Sequence, residues 1–329
     1  MLFIDNQNEH DPAVNLALEE YVLRQPHSDE DLLLLYINAP SIVVGSHQNL
    51  LEEINLDYVE QHTLPVLRRL SGGGAVYHDL GNLNFSCISN YQPEDFKNFK
   101  KFTAPVIRCL NRLGVPAQLN DRSDILVAGK KVSGNAQYVS RGRALTHGTL
   151  LFNSDLSHVS EALHVPEDTF VSKAIKSVRS PVVNISEFLS EPLDITGFRN
   201  RLLETYFEGI PAIPTYPLSA LDWEKVQALA QERYRSWEWT YGRSPAFSVH
   251  KQQRFQWGEL TADLEVVQGI IQTIKLDGDF LPYGETAELE RSLIGLRYER
   301  LGITRVLQTV LVGSNLTGLT PQVLSEFLY

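Results

Sequence analysis

The run Arg68-Arg69-Leu70-Ser71-Gly72-Gly73-Gly74-Ala75-Val76-Tyr77-His78-Asp79 sets two fixed positive charges, a hydroxyl and three consecutive glycines between apolar stretches. Glycine accepts positive φ and lets backbone N–H groups close on a ligand with no Cβ in the way. Arginine adds a planar fork matched to phosphate or carboxylate. An anion pocket is the chemistry these residue types offer. The spacing is neither that of a P-loop nor that of a dinucleotide fingerprint. A glycine-rich hairpin turn with its arginines in solvent is the bland alternative.

A second group with chemical potential is Lys131-Val132-Ser133-Gly134-Asn135-Ala136, where a lysine is followed by small residues that leave room for a ligand beside it. Lys130, near a hairpin bend, reads as a solvated edge charge. His47, His78 and His147 sit in loop or motif stretches, where an imidazole can exchange protons or simply hydrogen-bond.

These groups need elements to hold them. Asp11 as cap, Pro12 at the first helical position and Val14, Ala17, Leu18, Tyr21 and Val22 on one face predict a helix to Arg24. Residues 32–37 and 42–44 read as buried strands around a turn, and 52–62 as a short helix leading to a strand at 64–67. Residues 93–113 carry Phe96, Phe99, Val106, Leu110 and Leu113 at helical spacing, with a break or bend near Pro105. Strands at 124–127 and 131–134 join through a glycine-bearing turn, and 137–140 and 146–152 continue one antiparallel sheet. Residues 154–160 and 166–180 read as looser chain that could cover a site. Helices follow at 195–208 and 221–234. After about residue 246 the texture changes to strands at 254–257, 261–267 and 270–276, then helices at 286–294, 303–311 and 321–328.

With 329 residues, the chain exceeds the size at which one core usually stops growing, which points to two domains, 1–245 and 246–329. A net charge of −11 speaks against a nucleic-acid binder, although Arg68, Arg69, Lys130 and Lys131 could form a local basic pocket. Cys87 and Cys109 are too few for a disulfide scaffold and lack metal-ligand spacing, which fits a reducing cytoplasm. No run approaches the ~18 apolar residues of a membrane span, and the N-terminus does not read as a secretory signal.

Taken together, the segments resemble the lipoate-protein ligase A family. The match rests on 68–79, on Lys131-Val132-Ser133-Gly134, on His147-Gly148-Thr149-Leu150, on Ser177-Val178-Arg179-Ser180, and on Trp237-Glu238-Trp239 with Pro245-Ala246-Phe247-Ser248. The resemblance implies an α+β fold: a mixed, largely antiparallel catalytic sheet of the biotin/lipoate ligase type plus a small α+β accessory domain. It implies ATP and Mg2+, with lipoic acid activated to lipoyl-AMP and passed to a lysine of a 2-oxoacid dehydrogenase E2 lipoyl domain or a glycine-cleavage H protein. By the same resemblance Lys131 is the catalytic group, and Arg69, Gly74, Ala75, Val76 and Tyr77 join it on ATP. Lys131, Arg69, Ser71, Gly72, Gly73, His78, His147 and Gly148 face lipoate, and Asp124 takes the metal. A Ser123-Asp124 pair stands where the family has Asn-Asp. The protein is expected to be a cytoplasmic monomer, with no nucleic-acid or membrane partner.

Two other readings stay open at this level. One is an octanoyl- or lipoyl-transferase of the same superfamily with a carrier-bound donor; some of these use a cysteine nucleophile, but Cys87 sits among Phe85, Ser86 and Ile88 with no basic neighbour in sequence and reads as a buried core residue. The other is a catalytically silent protein that binds a lipoyl nucleotide.

Overall fold

The computed structural model describes residues 1–25, 30–164, 170–178, 180–278, 285–311 and 319–329. In chain order it runs β1 (Leu2–Ile4), α1 (Pro12–Arg24), β2 (Leu32–Ile37), β3 (Ser41–Val44), α2 (Leu56–Gln61), β4 (Val66–Arg68), β5 (Val76–His78), β6 (Asn82–Asn90) and α3 (Phe99–Arg112). It continues with β7 (Ala117–Leu119), β8 (Ile125–Val127), β9 (Lys130–Ser133), β10 (Asn135–Ser140), β11 (Arg143–Leu151), α4 (Leu156–Ala162), β12 (Phe170–Ser172), α5 (Ile195–Tyr206), α6 (Ala220–Leu229) and α7 (Trp237–Thr240). It closes with β13 (Phe247–Phe255), β14 (Gly258–Val267), β15 (Ile270–Gly278), α8 (Glu285–Leu293), α9 (Arg300–Val310) and α10 (Pro321–Leu328). The architecture is the α+β class expected. Two compact units form: Met1–Ser46 with Glu53–His164 and Ser177–Trp239, and His47–Glu52 with Val165–Lys176 and Thr240–Tyr329.

The first unit is built on the mixed sheet β1-β2-β6-β11-β10, parallel only between β1 and β2. The unbroken apolar run of β2 follows from burial on both faces. Leu33 and Leu35 join Phe85, Cys87 and Leu150 under α3 and α5, while Leu34 and Tyr36 join Ile88 and Leu145 under α1 and α6. Asp11 caps α1 as its sequence requires, its carboxylate accepting from Ala13 N at 2.8 Å.

A small sheet, β4-β3-β5, presents the glycine run. β4 is parallel to β3 and β5 is antiparallel to it, on its other side. The connection 69–75 must therefore cross the C-terminal end of β3, where Gly45 sits. A Cβ at Gly45 would stand 2.1 Å from the Gly73 carbonyl oxygen, and Gly73 itself adopts φ +90°. These two positions are where the crossing depends on glycine.

Several expectations are corrected. The strands at 125–127 and 130–133 join β7 in a sheet of their own, β7-β8-β9, separate from β10 and β11; the chain changes sheet at Gly134, where a Cβ would stand 3.0 Å from the Lys131 amine. β2 and β3 are buried strands but belong to different sheets. α3 runs through Pro105 unbroken, because the buried face Phe102, Val106, Cys109 and Leu110 outweighs one missing hydrogen bond; Phe96 lies outside that helix and is exposed. Residues 154–160 are largely helical, α4 being capped by Asp155. Of 166–180, residues 166–169 and 179 lie outside the described residues, while 170–172 form β12 against β13.

In the second unit β12 to β15 form an antiparallel sheet. β14 alternates strictly, with Leu260, Ala262, Leu264 and Val266 buried, the pattern of a sheet covered on one face. Among the described residues no helix is long and apolar enough to cross a membrane.

Candidate active site

The arginines do not offer their forks to a ligand. Arg69, 7 % exposed, uses Nε on Ser71 Oγ (3.0 Å), Nη1 on the Val43 carbonyl (3.0 Å) and Nη2 on the carbonyls of Gly72 (2.7 Å) and Gly74 (2.8 Å). Burial lowers its pKa to about 10, so it stays cationic at neutral pH. Arg68 is buried and donates to the Gly45 carbonyl at 2.8 Å, and its own carbonyl accepts from Trp239 Nε1 at 2.7 Å. The pair that suggested an anion pocket instead shapes the glycine run. In a trans peptide C=O and N–H point opposite ways, so drawing the Gly74 oxygen to Arg69 turns the Ala75 N–H away from it.

That N–H meets a cavity of about 340 Å³, a size suited to a small organic ligand. Ala75, Val76 and Tyr77 form one part of its wall, and Lys131, Ser133, Gly134 and Thr149 another; Leu156 and Val159 of α4 close a third. The Lys131 amine lies 2.8 Å from Asp124 Oδ1. Its backbone is pinned independently: Lys131 N–H donates to the Pro181 carbonyl (2.8 Å) and the Lys131 carbonyl accepts from Val183 N–H (3.1 Å). Asp124 N–H donates to Asn120 Oδ1 at 2.9 Å. Lys130, by contrast, is exposed, as an edge charge should be.

Behind the glycine run lies a buried polar network. Ser86 and His147 are cross-strand partners on β6 and β11, and they share the α1 face of the sheet with Tyr36. Glu19 of α1 reaches down to them, accepting from Tyr36 Oη (3.0 Å), from Ser86 Oγ and from His147 Nδ1 (3.1 Å). His147 Nε2 then stands 2.6 Å from Ser71 Oγ. With Nδ1 donating to a carboxylate, Nε2 is left to accept from the serine. His78 is buried with Nδ1 accepting from Asn38 Nδ2 at 2.9 Å; its Nε2 has no hydrogen-bond partner among the described residues. Gly148 lies opposite Asn135 and over the Phe85 ring.

The structure thus joins Lys131, Asp124, Ala75, Val76 and Tyr77 around or beside one cavity, and gathers Arg69, Ser71, His147 and His78 behind it. Sequence reasoning missed Glu19, Tyr36 and Glu53, and took Ser177 only as part of a motif, with no role at the site. Two adjacent acids on the inward side of an otherwise apolar helix, Glu19 and Glu20, were the available signal. Cys87 is buried as its apolar neighbours predict: its side chain is on the opposite face of β6 in the α3 and α5 core, and burial pushes its thiol up to about 12, against a nucleophilic role.

His78 gives a pH prediction. Burial first, then the Arg69 and His147 charges, lower its folded pKa to about 3 from an ordinary 6.5. Below pH 6.5 the unfolded chain takes up a proton that the folded chain refuses, so this contribution is complete above 6.5 and is lost as pH falls toward 3. His78→Gln is expected to flatten the fall in urea-unfolding stability between pH 6.5 and 5 by on the order of 2 kcal/mol.

A lysine facing a turned-out amide across a cavity, with a second, smaller α+β unit, defines a class that comparison with known proteins identifies. The model for the lipoyl protein ligase A/B catalytic domain matches residues 11–207, and that for the bacterial lipoate protein ligase C-terminus matches residues 244–328. The chain belongs to the lipoate-protein ligase family. It is 47% identical over 331 residues to lipoate-protein ligase LplJ of Bacillus subtilis (strain 168), covering 100% of both chains. Among solved structures it is similar to the bi-partite lipoate protein ligase of Thermoplasma acidophilum, described with its E2 lipoyl domain (26% identity, TM-score 0.63, 74% of this chain and 96% of that one). It is also similar to a lipoate-protein ligase A bound with ATP (28% identity, TM-score 0.60, 71% and 95% of the two chains).

Proposed function

We propose that this chain is an ATP-dependent lipoate-protein ligase that activates free lipoate as lipoyl-AMP and transfers the lipoyl group to a lysine of an acceptor lipoyl domain. The observation that carries the reading is the Lys131 amine, held beside Asp124 on the wall of the cavity that Ala75, Val76 and Tyr77 also line. Membership of the family, and relatives described with ATP and with an E2 lipoyl domain, support the substrates.

In the first step a lipoate carboxylate oxygen attacks the α-phosphorus of ATP, the bond to the bridging oxygen of the β-phosphate breaks, and pyrophosphate leaves. Both reactants are anions, so the step needs a fixed cation aimed at the reacting oxygens. Lys131 supplies it as a point charge with three donors. Gly74, Ala75, Val76 and Tyr77 bind the nucleotide, and the buried charge of Arg69 stands behind them. By the family resemblance Ser71, Gly72, Gly73, His78, His147 and Gly148 belong to the acyl side, with Lys131 at the carboxylate end; Arg69, whose fork is spent on backbone carbonyls, acts there only by shaping the glycine run. In the second step the acceptor amine attacks the acyl carbon, a C–N bond forms, and AMP departs with the former carboxylate oxygen. Holding both reactants in one cavity supplies much of the acceleration.

Among the described residues no cluster of three or more metal-ligating side chains forms. The single carboxylate of Asp124 nevertheless suits Mg2+, which takes one or two protein carboxylates with nucleotide phosphates. When bound it would neutralise phosphate charge, with Asp124 as its protein ligand. The acceptors are E2 lipoyl domains or a glycine-cleavage H protein; the setting is the cytoplasm, the active form a monomer. We assign residues 1–245 to the catalytic domain and 246–329 to the accessory domain, although residues 47–52, 165–176 and 240–245 cluster with the second unit.

Purified protein with ATP and Mg2+ is expected to release pyrophosphate only when lipoate is added, and to add one lipoyl mass to an apo lipoyl domain. Pyrophosphate release that ignores lipoate, or an acceptor of unchanged mass, rejects the proposal.

A further inference from the structure

The Ala75 amide that Arg69 turns toward the cavity is already engaged. It donates to Ser177 Oγ at 2.9 Å. Ser177 is held in turn by Glu53, whose Oε1 accepts the Ser177 N–H at 2.9 Å and whose Oε2 accepts the Ser177 hydroxyl. Glu53 is buried, and both it and Ser177 line the same cavity as Ala75 and Lys131. The contact is close-fitting: a Cβ on Gly74 would lie 2.7 Å from Ser177 Oγ.

The chemistry of this chain of bonds is directional. An ionised carboxylate only accepts, so the one hydroxyl proton of Ser177 goes to Glu53 and its oxygen is left facing the Ala75 N–H. A bond to a carboxylate is also roughly twice as strong as one between neutral groups, so Glu53 fixes Ser177 more firmly than another hydroxyl would. A backbone N–H donates one strong bond, and Ser177 holds this one.

We infer that Glu53 is a positioning residue for the nucleotide: through the Ser177 hydroxyl it sets a competitor at the Ala75 amide, which a phosphate oxygen of ATP must displace to bind there. The inference rests on the proposed reading of Gly74 to Tyr77 as the nucleotide-binding run, and adds to it a residue that touches neither the acyl group nor the reacting atoms. The two acids that face the cavity region then act oppositely. Asp124 pairs with the Lys131 amine at 2.8 Å, while Glu53 opposes entry of the nucleotide.

The test uses the full chain and α,β-methylene-ATP, which cannot undergo adenylation, titrated by calorimetry into wild type, Glu53→Gln, Ser177→Ala and the double variant. Glu53→Gln keeps the shape of the side chain and weakens its hold; Ser177→Ala removes the competitor. Each single variant is expected to bind the analogue about five-fold more tightly, the value of one ordinary hydrogen bond. The double variant should bind no more tightly than Ser177→Ala, because Glu53 acts through that hydroxyl. Lipoate affinity should stay within about two-fold of wild type, a selectivity that general loosening of the fold would not give. Unchanged or weaker analogue binding in the single variants, or additive gains in the double variant, overturns the inference while leaving the ligase reading intact. Wild type that binds no analogue and releases no lipoate-dependent pyrophosphate removes both.

Discussion

Lys131→Ala is expected to lower lipoate-dependent pyrophosphate release by at least about 10²- to 10³-fold, the usual loss when a preorganised charge stabiliser is removed from a closed site. The argument is local. The amine is a cationic group on the cavity wall beside Gly134, and its partner Asp124 would remain after the substitution. The fold should survive, because Lys131 joins the structure through its backbone bonds to Pro181 and Val183, which alanine keeps. Lys131→Arg should recover little, since a planar guanidinium replaces a compact ammonium and places its donors differently. A soluble, folded Lys131→Ala protein turning over at the wild-type rate would remove the residue from the mechanism.

Gly45→Ala is expected to be comparably damaging by a different route. The added methyl would stand 2.1 Å from the Gly73 carbonyl oxygen, an atom of the backbone and so unable to rotate aside as a side-chain tip could. Either β3 or the crossing connection must move. Overpacking of this kind costs about 1–3 kcal/mol, visible as a lower urea midpoint. The larger effect should be on catalysis, because displacement of about 1 Å in a positioning element can cost on the order of 10²-fold in rate. Normal stability and normal turnover in Gly45→Ala would show that the crossing tolerates displacement.

Much of this was legible in the sequence. The cap and apolar face of α1, the apolar runs of β2 and β3, and α10 are set by nearest neighbours along the chain, and they appear within a residue or two of their expected bounds. The sheet assignment of residues 124–152 was not legible, since strand periodicity says which face a residue is on but not which sheet it joins. Residues 154–160 misled because hydroxyl-rich chain reads as loop, whereas Asp155 caps a helix there. At the site, Lys131 and the glycine run announced themselves through residue type. The use of Arg69 did not, because an arginine bound to carbonyls and one awaiting a phosphate have the same one-letter code. Glu19 and Glu53 were hidden for a related reason: a carboxylate's role depends on partners as far as 128 positions away.

The carbonyls gathered by Arg69 also bear on ionic strength. Peptide dipoles held in place by a buried guanidinium are shielded from dissolved ions, whereas the partly exposed Lys131 and Asp124 pair is open to them. Brine should therefore weaken the grip of the lysine first and leave the curve of the glycine run unaltered.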